Sequence, residues 1–267
     1  MDDFEFDCDQ TQWSAFNALW CAKASQLAYA DGAQIDATLK GWGFSQLVFL
    51  NCRETSGFVA GNDKMVLVAF RGTEPEKLRD WMTDVDIPLV DFLGGKAHAG
   101  FARAITYVWD DMLAAIKSMQ TNAQSLWFTG HSLGAALATL AAARLRLESD
   151  TAVNGLYTFG SPRVGDADLA MRFNQDFRSR TFRYVNNADV VTRVASRALG
   201  YRDVGTFLFF DKTGSIQSDM HWWNLFLNTV EGNMDDLLSG KVAPLDDHFI
   251  ANYIANAEKN LGANPFA

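Results

Sequence analysis

The chain has 267 residues, of which 48% are hydrophobic, and it carries a formal net charge of −9. This length and apolar content favour one large α/β domain covering residues 1–267 over two small domains. Lysine and arginine form no cluster in the sequence, so the positive surface that nucleic acids require is not expected. The negative charge also gives a weak preference for neutral substrates and for a neutral lipid–water interface over an anionic bilayer.

Targeting signals, membrane spans and metal motifs are not predicted. The N-terminal residues MDDFEFD are acidic where a secretory signal carries positive charge, which favours a cytoplasmic protein, non-classical export or a mature form. The uncharged stretch 118–143 is interrupted by polar residues and lacks the roughly 20 consecutive apolar residues of a membrane helix. Cys8, Cys21 and Cys52 lack metal-ligand spacing and are expected to be free thiols, with a bridge from Cys8 to Cys21 or Cys52 as the alternative.

Helical and strand-like patterns alternate along the chain. Apolar residues recur at helical spacing in residues 11–29, and an antiparallel hairpin is predicted from the runs 56–61 and 64–70. The uniformly apolar residues 65–70 are expected to form the central strand. Helices are then predicted at 98–119, 132–148 and 166–177, and strands at 124–129, 154–159 and 181–185. This alternation predicts a mostly parallel sheet with helices on both faces and a site at the carboxyl ends of its strands.

Ser132 lies in the pentapeptide GHSLG, between a predicted strand and a predicted helix rich in small residues. A sharp turn from strand to helix strains the serine backbone and tolerates only small neighbours, which Gly130 and Gly134 provide. The hydroxyl is then presented at a helix N-terminus, where backbone amides stabilise developing negative charge. Ser132 is therefore the candidate nucleophile; the alternative is an ordinary turn or helix-capping serine.

A nucleophilic serine needs a histidine base, and the sequence contains only four histidines. His131 is part of the turn, and its side chain should point away from the Ser132 hydroxyl. His98 precedes the serine, whereas the chain order of serine, acid and base leaves His221 and His248. His248 is preferred because it precedes a terminal helix on a loop; His221, among aromatic residues, is the alternative, and a helix-capping surface role for His248 also stays open.

The acid that orients this histidine should follow a strand between the serine and the histidine in the chain. Asp189 follows a predicted strand through a turn-forming Asn-Asn-Ala segment and is the candidate. Asp166, Asp203 and Asp211 compete, but capping or turn roles account for them.

The developing oxyanion needs at least two donors, one of which is the backbone amide of Leu133. The second is expected from Thr73, because Gly72 lets the chain turn at the end of strand 64–70. A simple strand-ending turn is the alternative. Residues 74–82 then place Leu78, Trp81 and Met82 on one helical face, which suggests a lid or, alternatively, a static amphipathic helix.

Six segments together resemble the class 3 lipase family of fungal-type triacylglycerol lipases, and the resemblance extends from about residue 15 to 255. They are FRGT at 70–73, HAGF at 98–101, GHSLG at 130–134, YTFGSPRVG at 157–165, NNADVV at 186–191 and DH at 247–248. The resemblance implies an α/β-hydrolase fold with a short helical lid at residues 74–82. It also implies a triad of Ser132, Asp189 and His248 and an oxyanion hole of Thr73 and Leu133.

The sequence departs from the family in two respects. Secreted fungal members carry signal peptides and disulfides that are not evident in this chain. Asp203, in GYRDVG at 200–205, stands where relatives often have histidine, and this change should affect structure near the site more than chemistry.

The expected function is cofactor-independent hydrolysis of acylglycerols through an acyl-enzyme. Apolar residues predicted near the site favour long acyl chains, although each could equally belong to the core: Trp81, Leu133, Trp222, Trp223 and Phe226. Feruloyl esterase and phospholipase A1 activities share this machinery and are the first alternatives. A non-catalytic lipid-binding module is the alternative from another class of protein.

Overall fold

The computed structural model describes residues 4–74, 88–149, 151–187, 189–193, 195–218 and 245–266. Six α-helices lie in these residues: α1 Ala15–Leu27, α2 Gly32–Gly41, α3 Ala99–Met119, α4 Leu133–Glu148, α5 Ala167–Phe177 and α6 Ile250–Lys259. The strands are β1 Gln46–Cys52, β2 Thr55–Gly61, β3 Met65–Phe70, β4 Leu89–Phe92, β5 Gly95–His98, β6 Ser125–His131, β7 Gly155–Phe159, β8 Thr181–Asn186, β9 Thr206–Phe210 and β10 Ile216–Gln217.

Eight strands form one sheet in the order β1-β2-β3-β6-β7-β8-β9-β10, and β4 and β5 form a separate hairpin. The strands β3, β6, β7, β8 and β9 run parallel to one another, and antiparallel strands complete both edges. The expected mostly parallel sheet is therefore confirmed. The carboxyl ends of the parallel strands all lie at the same end of the sheet, where the loops that follow them come together.

The two faces of the sheet bury separate apolar layers. In β3, Val66, Val68 and Phe70 pack with helices α3 and α4 on one face, whereas alternate residues such as Leu67 pack with α1 on the other. This division follows from the two-residue period of a strand. Helix α4 consists largely of alanine and leucine and is buried on almost all sides. Its small alanine side chains let it approach the sheet closely.

The predicted hairpin, the strands 124–129, 154–159 and 181–185, and the four predicted helices are all present, with bounds shifted by a few residues. The N-terminal helix begins at Ala15, after Ser14 caps it by accepting the amide of Asn17 at 3.3 Å. Strand β3 was expected to be the central strand. It lies inside the sheet, between β2 and β6, but it is the third of eight strands and so is closer to one edge.

Helix α2 and strand β1 were not predicted from the sequence. Only Ile35 and Leu39 of α2 are buried, and only Leu50 of β1 is, because β1 forms an edge of the sheet. Elements that bury so few side chains leave a weak periodic signal. Within the described residues, no helix is long and apolar enough to cross a membrane, and the three cysteines are free thiols.

Candidate active site

Ser132 sits where β6 turns into α4, with a φ of 58° and a ψ of −130°. This conformation is rare for a residue with a side chain and costs free energy, so the surrounding structure must hold it. The amide of Ser132 donates to the carbonyl of Phe159 on the neighbouring strand at 3.0 Å. Strand β7 therefore anchors the strained residue, and Ser132 itself is fully buried.

The two glycines around this turn are required by close backbone packing. A methyl group on Gly130 would overlap the carbonyl of Gly134, and one on Gly134 would overlap the carbonyl of Phe70 at the end of β3. The N-terminus of α4 is thereby brought against two strand ends at once. Any side chain at either position would push the helix away from the sheet.

We expect Gly134→Ala to destabilise the fold by about 3 kcal/mol, because the added methyl group meets rigid backbone rather than a movable side chain. Gly262→Ala is the matched control, since a methyl group there meets nothing within 4 Å. The free energies of unfolding of both variants would be measured in urea. A Gly134→Ala variant as stable as Gly262→Ala would show that the turn is packed less tightly than described.

Asp189, which follows β8, and His248, which precedes α6, form a buried pair. The Nδ1 atom of His248 lies 3.0 and 2.9 Å from the two carboxylate oxygens of Asp189. The carboxylate also accepts the hydroxyl of Tyr253 at 2.6 Å and the amide of Val191 at 3.0 Å. A methyl group on Gly160, which follows β7, would lie within 3 Å of both members of the pair. The loop after β7 thus closes over them.

The pair favours an ionised carboxylate. Burial alone raises the pKa of Asp189, but the charge of His248 and the hydrogen bonds from His248 and Tyr253 act against it. Together they hold the pKa of Asp189 below its ordinary value. An ionised carboxylate at Nδ1 keeps that nitrogen protonated, so Nε2 is left as the basic atom of the ring.

The Ser132 hydroxyl oxygen and the Nε2 atom of His248 are both buried, and neither has a hydrogen-bond partner among the described residues. A buried polar atom without a partner costs free energy, which makes such atoms candidates for a chemical role. Hydrogen bonds between a nucleophile and its base are often long before substrate binds. The structure places Ser132 directly after β6, Asp189 after β8, and His248 just before α6, where it contacts Asp189.

The two candidate oxyanion donors flank Ser132. Leu133 is the first residue of α4, so its amide belongs to the helix end whose amides have no acceptor inside the helix. On the other side, a methyl group on Gly72 would come within 3.1 Å of the Ser132 Cβ atom and 2.6 Å of the His131 carbonyl oxygen. The loop that carries Thr73 therefore lies directly against the nucleophile turn.

A cavity of about 190 Å³ opens beside these groups. Its lining includes the polar residues Thr73 and Glu74 and the apolar residues Leu245, Phe249 and Ile250. Glu74 forms an ion pair with Arg71. The cavity is lined further by Tyr29, His131 and His248.

Sequence reasoning missed three residues that organise this site. Tyr253 binds the carboxylate of Asp189, and Tyr29 and His131 bind each other. Their roles depend on distances between segments far apart in the chain, for which the sequence carries no local motif. His131 was expected only to point away from the Ser132 hydroxyl, and its ring nitrogens indeed contact Tyr29 and the His248 carbonyl.

Asp203 was expected to have an ordinary capping or turn role, and this expectation is wrong. Its carboxylate lies 3.1 Å from Arg163, 3.5 Å from Arg183 and 2.8 Å from Arg197. Burial raises the pKa of Asp203, but the charges of Arg183 and Arg163 and the interactions with Arg197 outweigh it and lower the pKa to about 2. Asp166 and Asp211, in contrast, do cap α5 and form a turn.

We expect Asp203→Asn to destabilise the fold by about 3 kcal/mol at pH 7, because it leaves buried arginines without their shared carboxylate. The folded-state pKa lies below the ordinary value of 3.8. The contribution of Asp203 to the free energy of unfolding is therefore complete above pH 4 and is lost as the pH falls through 2. Urea unfolding at pH 7 and near pH 2 measures this, with exposed Asp168→Asn as the control. A constant difference between wild type and Asp203→Asn across this range would contradict the assignment.

Some predicted residues lie outside the described part of the chain. These are the alternative base His221, residues 75–82 of the predicted lid, and the aromatic residues Trp222, Trp223 and Phe226. Within the described residues, no group of three or more potential metal ligands lies together.

The mostly parallel sheet, the serine at a strand-to-helix turn, and the chain order of serine, aspartate and histidine define an α/β-hydrolase. The protein belongs to the class 3 lipase family, whose model matches residues 67–198. Secreted mono- and diacylglycerol lipase A of Penicillium cyclopium is 31% identical over 215 residues, covering 75% of this chain and 67% of the relative.

A triacylglycerol lipase of Arabidopsis thaliana is 28% identical over 252 residues, covering 72% of this chain and 48% of the relative. The chain spans about half the length of the first relatives that it matches. A crystal structure of a mutant form of MDLA from Penicillium cyclopium superposes with a TM-score of 0.67 at 23% identity, covering 90% of this chain and 96% of that one. This last similarity supports the fold.

Proposed function

We propose that the protein is a serine carboxylester hydrolase that cleaves fatty acyl esters of glycerol. The observation that carries the proposal is the buried Asp189–His248 pair, placed with Ser132 at the carboxyl edge of the sheet beside a partly apolar cavity. The two relatives described above are named as lipases of mono-, di- or triacylglycerol.

In the proposed mechanism, Nε2 of His248 takes the proton of the Ser132 hydroxyl as its oxygen attacks the ester carbonyl. Asp189 orients the imidazole and stabilises its positive form. The amides of Leu133 and Thr73 bind the oxyanion of the tetrahedral intermediate. His248 then gives its proton to the departing glycerol oxygen, which leaves the acyl group on Ser132. Water, deprotonated by His248, attacks this acyl-enzyme; the bond to the Ser132 oxygen breaks, His248 returns the proton to that oxygen, and the fatty acid is released.

The lining of the cavity suits an acyl chain, since Leu245, Phe249 and Ile250 are apolar and Phe249 is 42% exposed. Glu74 also lines the cavity, and its carboxylate is paired with Arg71. This ion pair therefore supplies no free positive charge for the phosphate of a phospholipid. These features favour acylglycerols over phospholipids.

The test is a comparison of initial rates of wild type on emulsified tri- and diacylglycerol, a feruloyl ester, a phosphatidylcholine and p-nitrophenyl esters of increasing chain length. The proposal predicts that fatty acid release from acylglycerols exceeds release from the phospholipid and that the feruloyl ester is poorly cleaved. Preferential cleavage of the feruloyl ester or the phospholipid would show that this ester, and not acylglycerol, is the substrate. Inactivity on every ester would instead favour a lipid-binding module.

A further inference from the structure

His131 contacts two other parts of the site through its ring nitrogens. Its Nδ1 atom lies 2.9 Å from the Tyr29 hydroxyl, and its Nε2 atom lies 2.6 Å from the backbone carbonyl oxygen of His248. A carbonyl oxygen has no proton, so Nε2 must donate, and Nδ1 of the neutral ring then accepts the proton of Tyr29. Burial, together with the nearby charge of His248, lowers the pKa of His131 to about 3, so the ring is neutral at neutral pH.

Tyr29 extends this chain of contacts to the loop that carries the candidate oxyanion donor. Burial and then the Glu74 carboxylate raise the pKa of Tyr29 above its ordinary value, against the charge of Arg71 and a hydrogen bond with the backbone of Gly72. Because the Tyr29 hydroxyl donates its proton to His131, the backbone amide of Gly72 is the donor in this last bond. The tyrosine hydroxyl is thus held between Gly72 and His131.

We propose that Tyr29 and His131 are positioning residues that tie the Gly72–Thr73 loop to the turn carrying His248, and so hold the oxyanion donors and the base around Ser132. This inference rests on the proposed function, because it concerns the same reaction. In this arrangement the Gly72 amide donates to Tyr29, Tyr29 donates to His131, and His131 donates to the His248 carbonyl. Neither residue exchanges a proton with substrate.

The two supports of His248 are complementary. Asp189 fixes the imidazole through Nδ1, whereas His131 fixes the backbone from which the imidazole extends. The rings of His131 and His248 also contact each other, with centroids 4.5 Å apart. Small displacements of a base or an oxyanion donor reduce rates strongly, since both act only at short distance. Loss of the connection should therefore lower kcat more than it raises KM.

The test uses Tyr29→Phe, His131→Leu and the double variant on a soluble short-chain p-nitrophenyl ester, with unfolding in urea as the measure of folding. We expect Tyr29→Phe to lower kcat about tenfold and His131→Leu about 100-fold, with KM changed less than about twofold. Because both single variants break the same chain of hydrogen bonds, the kcat of the double variant should be no lower than that of His131→Leu alone. His131→Gln, whose amide can donate to the His248 carbonyl, should recover most of the rate.

Tyr184→Phe is the matched control. Tyr184 is also buried, and its hydroxyl accepts a hydrogen bond from Trp13, in the segment before α1, at 2.6 Å. This variant should lose stability and keep its kcat. If Tyr29 and His131 had a purely structural role, Tyr29→Phe and His131→Leu would lose stability as Tyr184→Phe does, without a specific fall in kcat.

Three results would overturn the inference in folded enzyme. They are an unchanged kcat in Tyr29→Phe and His131→Leu, losses that multiply in the double variant, or an equal fall of kcat in Tyr184→Phe. Should His131→Leu not fold, Tyr29→Phe set against Tyr184→Phe carries the test: the inference requires kcat to fall in Tyr29→Phe and to stay unchanged in Tyr184→Phe. Wild-type inactivity on every ester would instead reject the proposed function, and the inference with it.

Discussion

Ser132→Ala is expected to lower kcat for ester hydrolysis by roughly 10⁵-fold or more, the size of loss seen when a serine nucleophile is removed. The variant keeps the buried Asp189–His248 pair and the oxyanion amides, but no oxygen is left to form the acyl-enzyme. Its stability should change by less than about 1 kcal/mol, because the serine oxygen has no hydrogen-bond partner among the described residues. Initial rates on p-nitrophenyl butyrate and unfolding in urea measure the two quantities.

Ser25→Ala provides the matched control for this loss. Ser25 is fully buried, and its hydroxyl contacts the Cys21 carbonyl and the Thr129 hydroxyl, away from the site. We expect Ser25→Ala to lose about 1 kcal/mol of stability and to keep its activity. Retention of more than about one per cent of kcat by Ser132→Ala would contradict Ser132 as the nucleophile.

Asp189→Asn is expected to lower kcat by about 10⁴-fold with little change in KM. An amide at this position has no charge to stabilise the imidazolium that forms during attack. Its NH₂ group can also donate to Nδ1, which would move the ring proton to Nε2 and remove the base from the serine. Rates on a soluble ester would be measured across a pH range, so that loss of the base is separated from a shifted optimum.

Asp211→Asn is the comparison for this variant. Asp211 also follows a strand, but its carboxylate accepts the amides of Thr213 and Ser215 within its own turn. We expect its activity to equal that of wild type. If Asp211→Asn lost activity while Asp189→Asn kept it, the acid would have been assigned to the wrong residue.

The sequence predicted the parts of this protein that depend on local patterns. The strained turn at Ser132 follows from two glycines between a strand and a helix, and the uniformly apolar run 65–70 predicts a strand buried on both faces. The position of Asp189 followed from the rule that loops after parallel strands meet at one edge. In each case, neighbouring residues in the chain determine the structure.

The remaining features depend on contacts between distant segments. Tyr29, His131 and the His248 carbonyl meet only once α1, β6 and the C-terminal turn are packed together. The role of Asp203 similarly depends on Arg163, which lies 40 residues away in the chain. No spacing in the sequence encodes such contacts, so the local position of Asp203 predicted only a capping or turn role.

Covalent labelling with a long-chain alkyl fluorophosphonate tests whether Ser132 is the nucleophile of an ester hydrolase. The labelled protein would be digested and mapped by mass spectrometry, with and without emulsified acylglycerol as a competitor. We expect a single adduct on Ser132, formed more slowly in the presence of the acylglycerol and absent from Ser132→Ala. A modified residue other than Ser132, or an active enzyme that forms no adduct, would show that Ser132 is not the nucleophile.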